Sequence, residues 1–212
     1  MIIDFSQLSA NERYHTVTQT LVPRPIAWVL SQHENGHYNV APFSYFTAIS
    51  SDPALLMFSV GDKDNGVGKD TKVNIAEHPY FVVHIASSKH AEAVTASAKT
   101  LPAEASELEL FAHELEEFEG FSLPKLKGVA VAYGCKLHSL QQVEGAPQTL
   151  VFGEIERVYI SDHCAVRTPV EGANGEQKQR LNVDSKQLDP LARLGGANYA
   201  TLGSVINVKR PK

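Results

Sequence analysis

The sequence predicts a mainly β fold, an antiparallel barrel with short helices inserted, and three observations carry that prediction. About six or seven runs of strand length, rich in apolar, β-branched and aromatic residues, recur along the 212 residues and are bounded by Gly, Pro and Asn turn signals. These runs follow one another as hairpins, with helices inserted between some of them instead of alternating strictly with every strand. No G-x-G-x-x-G stands after a strand, which disfavours a Rossmann dinucleotide site. The length suits one domain of the larger all-β or α+β kind, and no internal repeat or linker divides it.

The elements follow in order. IAWVLS (Ile26 to Ser31) and NVAPFSYF (Asn39 to Phe46) form a hairpin around the Asn35-Gly36 turn signal. LLMFSV (Leu55 to Val60) is a buried strand held between Pro53 and Gly61. Lys72 to His78 makes a short helix stopped by Pro79, and YFVVHIA (Tyr80 to Ala86) a strand with apolar residues on both faces. The alanine-rich stretch Ser87 to Lys99 reads as a helix with Ala91, Val94 and Ala98 on one side. A second helix is expected over Ser106 to Phe118, where Leu108, Phe111, Leu115 and Phe118 recur at 3, 4 and 3 spacing and glutamates cover the rest as a solvated face. Two long strands follow. In VAVAYGCKL, Val129, Val131, Tyr133, Cys135 and Leu137 alternate onto one face; in TLVFGEIERVYI (Thr149 to Ile160) the internal Gly153 marks a bulge, a barrel corner or a close approach to the backbone. Ser161 to Arg180 is turn-rich with Asn174-Gly175 at its tip. LDPLARLGG then gives a short helix ended by Gly195-Gly196, before a last strand from Tyr199 to Val208.

Composition narrows the function. The net charge of −5, from 24 acids against 19 Lys and Arg, offers no footprint for nucleic acid or an anionic membrane. No apolar run reaches the length of a membrane span, and the opening MIIDFSQLSANERYH lacks a basic region followed by an apolar core, so a cytoplasmic protein is expected. Cys135 and Cys164 form no CxxC and have no metal-spaced histidines beside them; they read as buried or idle thiols, and no metal site is expected.

GVGKDTKVNI (Gly66 to Ile75) looks like a nucleotide loop. A P-loop ending in Gly68-Lys69 needs glycine at position 63, where Lys63 stands, and Asp70 intervenes between Lys69 and Thr71. What survives is an anion-friendly helix start, with open backbone N–H groups, the Lys69 ammonium and the Thr71 hydroxyl. The alternative is that Asp70 or Thr71 caps the helix and Lys69 is solvated.

Four stretches, in this order, resemble the flavin reductase-like family of FMN-binding split β-barrel proteins: Arg24-Pro25-Ile26-Ala27-Trp28-Val29; Asn39 to Phe46, running on to Ser50-Ser51-Asp52-Pro53; Lys69-Asp70-Thr71 with Asn74-Ile75; and Arg193-Leu194-Gly195-Gly196 with Tyr199. The resemblance spans nearly the whole chain. It is closest to the flavoredoxin-like branch with a long C-terminal extension, so residues 1–212 are expected to form one split-barrel domain extended over about 161–212.

The resemblance implies a homodimer that binds FMN near the subunit interface. It sets the isoalloxazine ring against Ala41-Pro42-Phe43-Ser44 and the phosphate near Lys69, Asp70 and Thr71. Amides around Pro42 suit the charge that grows at the ring's N5 and O4 edge on reduction. Phe43, Tyr45 or Phe46 can pack on the dimethylbenzene side or belong to the core. Ser44 and Thr47 can bond the ribityl chain or phosphate, or be ordinary sheet hydroxyls. Arg24 and Arg193 suit the phosphate, the pyrimidine edge or an interface salt bridge, and Tyr199 either covers the flavin or begins the last strand.

In many relatives a histidine precedes the strand that ends in G-E-V; here Gln148 stands in that position, and it cannot donate a proton near neutral pH. His84 and His138 read as structural. The expected activity is an FMN-dependent oxidoreductase taking hydride from NADH or NADPH and passing electrons to flavin or another small acceptor. The alternatives are an FMN electron carrier reduced by a protein redox partner, and a non-catalytic flavin-binding protein.

Overall fold

The computed structural model describes residues 1–63, 66–101, 106–109, 111, 113–172, 174–209 and 211. Its helices are α1 (Ala10–Thr20), α2 (Asp70–Glu77), α3 (Ala91–Ala96) and α4 (Ser185–Leu188). The strands, in chain order, are β1 (Arg24–Pro25), β2 (Ala27–Gln32), β3 (Tyr38–Phe43), β4 (Phe46–Ser51), β5 (Ala54–Val60), β6 (Tyr80–Ile85), β7 (Leu115–Glu116), β8 (Lys125–Leu126), β9 (Val131–Gln142), β10 (Thr149–Ile160), β11 (Ala165–Glu171), β12 (Gln177–Val183), β13 (Ala192–Arg193) and β14 (Tyr199–Ala200).

Seven strands form one antiparallel sheet in the order β3-β2-β6-β9-β10-β5-β4. The sheet curls but does not close, because its two edges, β3 and β4, are consecutive strands joined at Ser44-Tyr45 that do not pair. The barrel is split along a seam, as the split-barrel resemblance implies. The outward side of β3 cannot continue the ladder. Val40 N–H bonds the Glu107 carboxylate (3.0 Å), Tyr38 C=O accepts from the Ser106 hydroxyl (2.5 Å), and Pro42, two residues beyond Val40 on the same side, has no N–H to offer.

Both faces of the sheet are buried along β2 and β6, which explains strands apolar on both sides. Ala27, Val29, Phe43, Phe58, Phe81, Val83 and Cys135 fill the inside with Ile75 of α2, and Phe58 lies against Phe43 (5.2 Å between ring centroids) and Phe81 (5.8 Å). Trp28, Leu30, Val82 and Ala132 pack on the other face against Val94 of α3 and Phe118, Leu123 and Leu126 of the following segment. Gly153 serves the inside. A Cβ there would lie 2.5 Å from Phe81 Cζ, and the β9–β10 register shifts between Phe152 and Gly153, so the glycine marks both a bulge and a close approach.

Three expected elements differ. The helix over Ser106 to Phe118 is absent: residues 110 and 112 lie outside the described residues, Glu107–Glu109 is a single 3-10 turn, and Leu115–Glu116 pairs with Lys125–Leu126. Leu108, Phe111, Leu115 and Phe118 all reach the Trp28 core even so. Leu188 to Leu194 is no helix; Ala192–Arg193 pairs with Arg24–Pro25, because Arg24 bonds Leu194 C=O and draws the segment alongside. The last strand stops at Ala200, since beyond it no strand among the described residues pairs with the chain. Polar 161–180 contributes β11, which pairs with β12 as an exposed hairpin around Asn174-Gly175. No helix among the described residues is long and apolar enough to cross a membrane.

Candidate functional site

The seam opens into a groove of three adjoining cavities of about 80, 280 and 380 Å³. Pro42 and Ala98 line both the first and second, and Ser44 both the second and third, so the A-P-F-S stretch forms their common wall.

The first cavity is a polar notch at the start of α2. Lys69 occupies the N-cap with no side-chain cap, and the amides of Asp70 and Thr71 have no acceptor among the described residues. Neither Asp70 nor Thr71 caps the helix, while Lys69 itself is exposed to solvent. The Asp70 carboxylate pairs instead with Lys63 at 2.7 Å. Thr71, buried, accepts from Asn39 Nδ2 at 2.9 Å, and Asn39 and Asn74 both donate to the Ser31 hydroxyl (3.3 and 3.2 Å), which ties the helix start to β2 and β3. Among the described residues Lys69 has no carboxylate partner. The notch therefore holds two ammonium groups, two open amides and a hydroxyl, with one carboxylate of the set already paired. A second carboxylate, Glu107, forms part of the wall; burial raises its pKa, and the nearby Asp70 adds to that against the opposing bond from Val40 N–H.

The second cavity is floored by Ile26, Pro42 and Val94 and bordered by Arg193 and Tyr199. The Arg193 guanidinium lies over the Tyr199 ring, 4.7 Å from its centroid, and donates to Gly196 C=O at 2.5 Å; the Tyr199 hydroxyl meets Thr95 Oγ1 at 3.0 Å. These contacts hold both side chains at the rim. The third cavity is mostly apolar, with Val17, Leu21, Pro23, Pro25, Phe46 and Met57 around Ser44, Tyr45 and Thr47.

The structure thus gathers the sequence-predicted residues along one groove, Arg24 lining the third cavity and Phe43 the first, and gives these two further work. Arg24 is buried, donating to Thr18 C=O (2.6 Å), Leu21 C=O (2.8 Å) and Leu194 C=O (3.0 Å), with its Nε 3.4 Å from Ser44 Oγ. It clamps the end of α1 and the loop after β13 around the seam. The Phe43 side chain packs inside the barrel against Phe58, while the residue also lines the first cavity. Ala41 and Pro42 line the first cavity, Ser44 the second and third, and Thr47 the third, where its hydroxyl bonds Ala48 C=O.

Lys63, Asn39 and Glu107 were missed as site residues. Lys63 entered only as the residue that breaks the P-loop pattern, and its place in the notch depends on the turn that brings Lys63 C=O to Gly66 N–H. Gln148 lies in the turn between β9 and β10, and no histidine among the described residues lines the three cavities.

Comparison with known proteins places the chain. A family model described as flavin reductase like domain matches residues 19–179. Nitrilotriacetate monooxygenase component B from Bacillus cereus is 30% identical with a TM-score of 0.83, covering 98% of each chain. The 2-nitrobenzoate 2-nitroreductase NbaA of Pseudomonas fluorescens is 27% identical with a TM-score of 0.80, over 100% of this chain and 96% of that one. A Shewanella frigidimarina protein described as a putative flavin reductase with split barrel domain has a TM-score of 0.81 at 18% identity over the whole of both chains, a likeness of fold alone.

Proposed function

The chain belongs to the flavin reductase-like family, and from that premise we propose that it is an FMN-dependent oxidoreductase whose flavin lies along the seam. The observation that carries this reading is the order of chemistry along one continuous groove: a cationic notch, a rim of Arg193 and Tyr199, and the Pro42 to Ser44 backbone between them. That order fits a ligand with a phosphate at one end and a flat conjugated ring at the other.

Lys63, Lys69, Thr71 and the Asp70 and Thr71 amides would hold the phosphate through charge-assisted bonds. Asp70 serves there through its amide and by holding Lys63, not as a ligand in its own right. Ser44 offers its hydroxyl to the ribityl chain and the Ala41 to Ser44 backbone faces the ring, whereas Thr47 lies in the third cavity with its hydroxyl on Ala48 C=O. Arg193 supplies a fixed positive charge and Tyr199 an aromatic cover that excludes water. Arg24 shapes the site by clamping its walls. Bound FMN supplies reversible hydride and electron uptake; the protein contributes position, a dry surface and fixed dipoles. NADH or NADPH is the proposed electron donor, and flavin or another small molecule the acceptor. We place the whole chain in one split-barrel domain with residues 161–212 as its extension, working as a homodimer.

An FMN electron carrier served by a protein partner is the second reading. It is favoured by the absence of histidine among the described residues lining the groove and by Gln148 in place of a proton donor.

The deciding experiment is an anaerobic titration of the yellow FMN-loaded protein with NADH and with NADPH, followed in the visible spectrum. Rapid bleaching by either supports the reductase reading. A flavin that binds and never bleaches removes it in favour of the carrier. Colourless protein that ignores added FMN removes both.

A further inference from the structure

The polar notch at the start of α2 is lined by charges that do not cancel. Lys99, just beyond α3, borders it together with Lys63 and Lys69, and two carboxylates share the lining, Asp70 and Glu107. Asp70 is closed on Lys63 at 2.7 Å. Glu107 is placed differently. It is only 4% exposed, its Oε2 accepts from Val40 N–H at 3.0 Å, and no lysine among the described residues pairs with it. A carboxylate in such a position borders an anion site without being neutralised by a cation of its own.

The charges around Glu107 come from each element packed near it. The loop after β5 brings Lys63, α2 brings Lys69 and Asp70, and the segment after α3 brings Lys99; β3 alongside adds the phenol of Tyr38 but no carboxylate or ammonium. Glu109 on the same turn is exposed, and Lys72 and Asp62 pair with each other away from the lining. Three ammonium groups against two carboxylates leave the notch one net positive charge. A phosphate monoester is a dianion above about pH 6. Seated there beside an ionised Glu107, it would leave the notch net negative, with like charges crowded into a cavity of about 80 Å³. With Glu107 neutral, two positive charges meet the two of the dianion, and the acid gains an O–H that can donate to a phosphate oxygen. Burial and the neighbouring Asp70 both favour that neutral form.

We propose that the notch takes up a proton with its phosphate: the terminal phosphate of FMN binds as the dianion while Glu107 passes from carboxylate to carboxylic acid and donates its new O–H to a phosphate oxygen. Oε2 keeps the Val40 N–H, so the proton sits on Oε1. The proton comes from solvent and returns there when the flavin leaves; no bond to phosphorus changes. Glu107 is then a phosphate ligand in its acid form. Binding tightens as pH falls through the range in which free Glu107 is ionised and the phosphate is already a dianion. The inference rests on the reading that puts the FMN phosphate at α2, and it assigns to that site a dependence on pH that riboflavin, without a phosphate, does not share.

The test uses the full chain with FMN and with riboflavin. Calorimetric titrations at about pH 7.5, where free FMN is already a dianion, are run in two buffers of different ionisation enthalpy, and the difference between them counts the protons exchanged. The parent should take up as much as one proton per FMN and none with riboflavin. In fluorescence titrations its FMN affinity should fall as pH rises from about 6.5 to about 8.5, approaching tenfold per pH unit. Glu107→Gln, which cannot ionise and keeps an oxygen for Val40 N–H, should take up no proton and lose that slope. The two-buffer measurement on the parent decides the matter even where the variant fails to fold. A parent that binds FMN more tightly than riboflavin yet takes up no proton overturns the proposal and leaves the phosphate at α2. An uptake that persists unchanged in Glu107→Gln overturns it by assigning the proton to another group. FMN and riboflavin bound equally at every pH removes the phosphate from the notch, and the proposal with it.

Discussion

Asn39 donates through Nδ2 to the Thr71 hydroxyl oxygen at 2.9 Å, with both side chains buried. The bond joins the seam strand β3 to the first turn of α2. With its oxygen accepting from Asn39, the Thr71 hydroxyl can direct its own proton into the notch. Asn39→Ala is expected to cost about 1–3 kcal/mol of stability, measured by urea unfolding, by leaving buried hydroxyls underbonded. It should also weaken FMN roughly tenfold in a fluorescence titration, with riboflavin affected less.

Lys69→Ala and Thr71→Ala are expected to lower FMN affinity by roughly ten- to a hundredfold each, the worth of one charge-assisted bond of about 1.5–3 kcal/mol. Riboflavin, lacking the phosphate, should lose little. Paired titrations of both ligands check this, and equal losses would move the phosphate away from α2.

Glu107→Gln is expected to act in the opposite direction. Glutamine keeps an oxygen for Val40 N–H and removes a carboxylate from the wall of the notch. Burial raises the Glu107 pKa, so the folded state is disfavoured by its ionisation above the ordinary carboxylate range. The variant should be more stable at neutral pH, by up to about 1 kcal/mol, and should bind FMN several-fold more tightly. Urea midpoints and FMN titrations at neutral pH read both effects.

Acid should unfold the protein through its histidines. His84 is fully buried, bonding Trp28 C=O and Leu126 N–H with its two ring nitrogens, and burial lowers its pKa to about 3. His90, against Trp28 and His113, is lowered to about 4 by burial, with Lys89 and His113 adding to the shift. Between these values and about 6.5 the unfolded chain binds protons that the folded one refuses, so stability is complete above about 6.5 and falls as pH drops. The expected slope is about 1.4 kcal/mol per pH unit for each histidine. Urea unfolding at a series of pH values checks it, and His90→Gln should flatten the curve by about one proton.

Gly153→Ala is expected to destabilise the fold by about 1–3 kcal/mol, because its methyl would meet Phe81 Cζ at 2.5 Å in a filled interior. Adding Phe81→Leu should recover part of that loss, and a double-mutant cycle by urea unfolding measures the coupling.

The barrel strands were legible because alternation and apolar runs report burial directly, and burial in a two-sided sheet leaves few other options. The seam was not. NVAPFSYF is mostly apolar and aromatic and carries no Gly or Asn-Gly turn signal at its middle, so it reads as one strand, whereas the chain turns a corner at Ser44-Tyr45 and pairs with β5 from Phe46. In Ser106 to Phe118 the spacing named the right core residues and the wrong backbone, since a loop draped over Trp28 buries the same four side chains as a helix. Helix α1 was overlooked although its signal was present: Ser9 and Glu12 form a reciprocal capping box. Within the site, the motif residues were found as a set. The division of labour was hidden in three dimensions, because a buried clamp such as Arg24 and a solvent-facing cation such as Lys69 look alike in a linear sequence.

Gly153 and Phe81 share one allotment of space, with the ring of one strand filling the place that a side chain on another would take. Such a pair is inherited as a unit. A lineage that enlarges position 153 must shrink position 81, in either order through a less stable intermediate, and the two columns of an alignment should vary together even though the residues lie 72 positions apart.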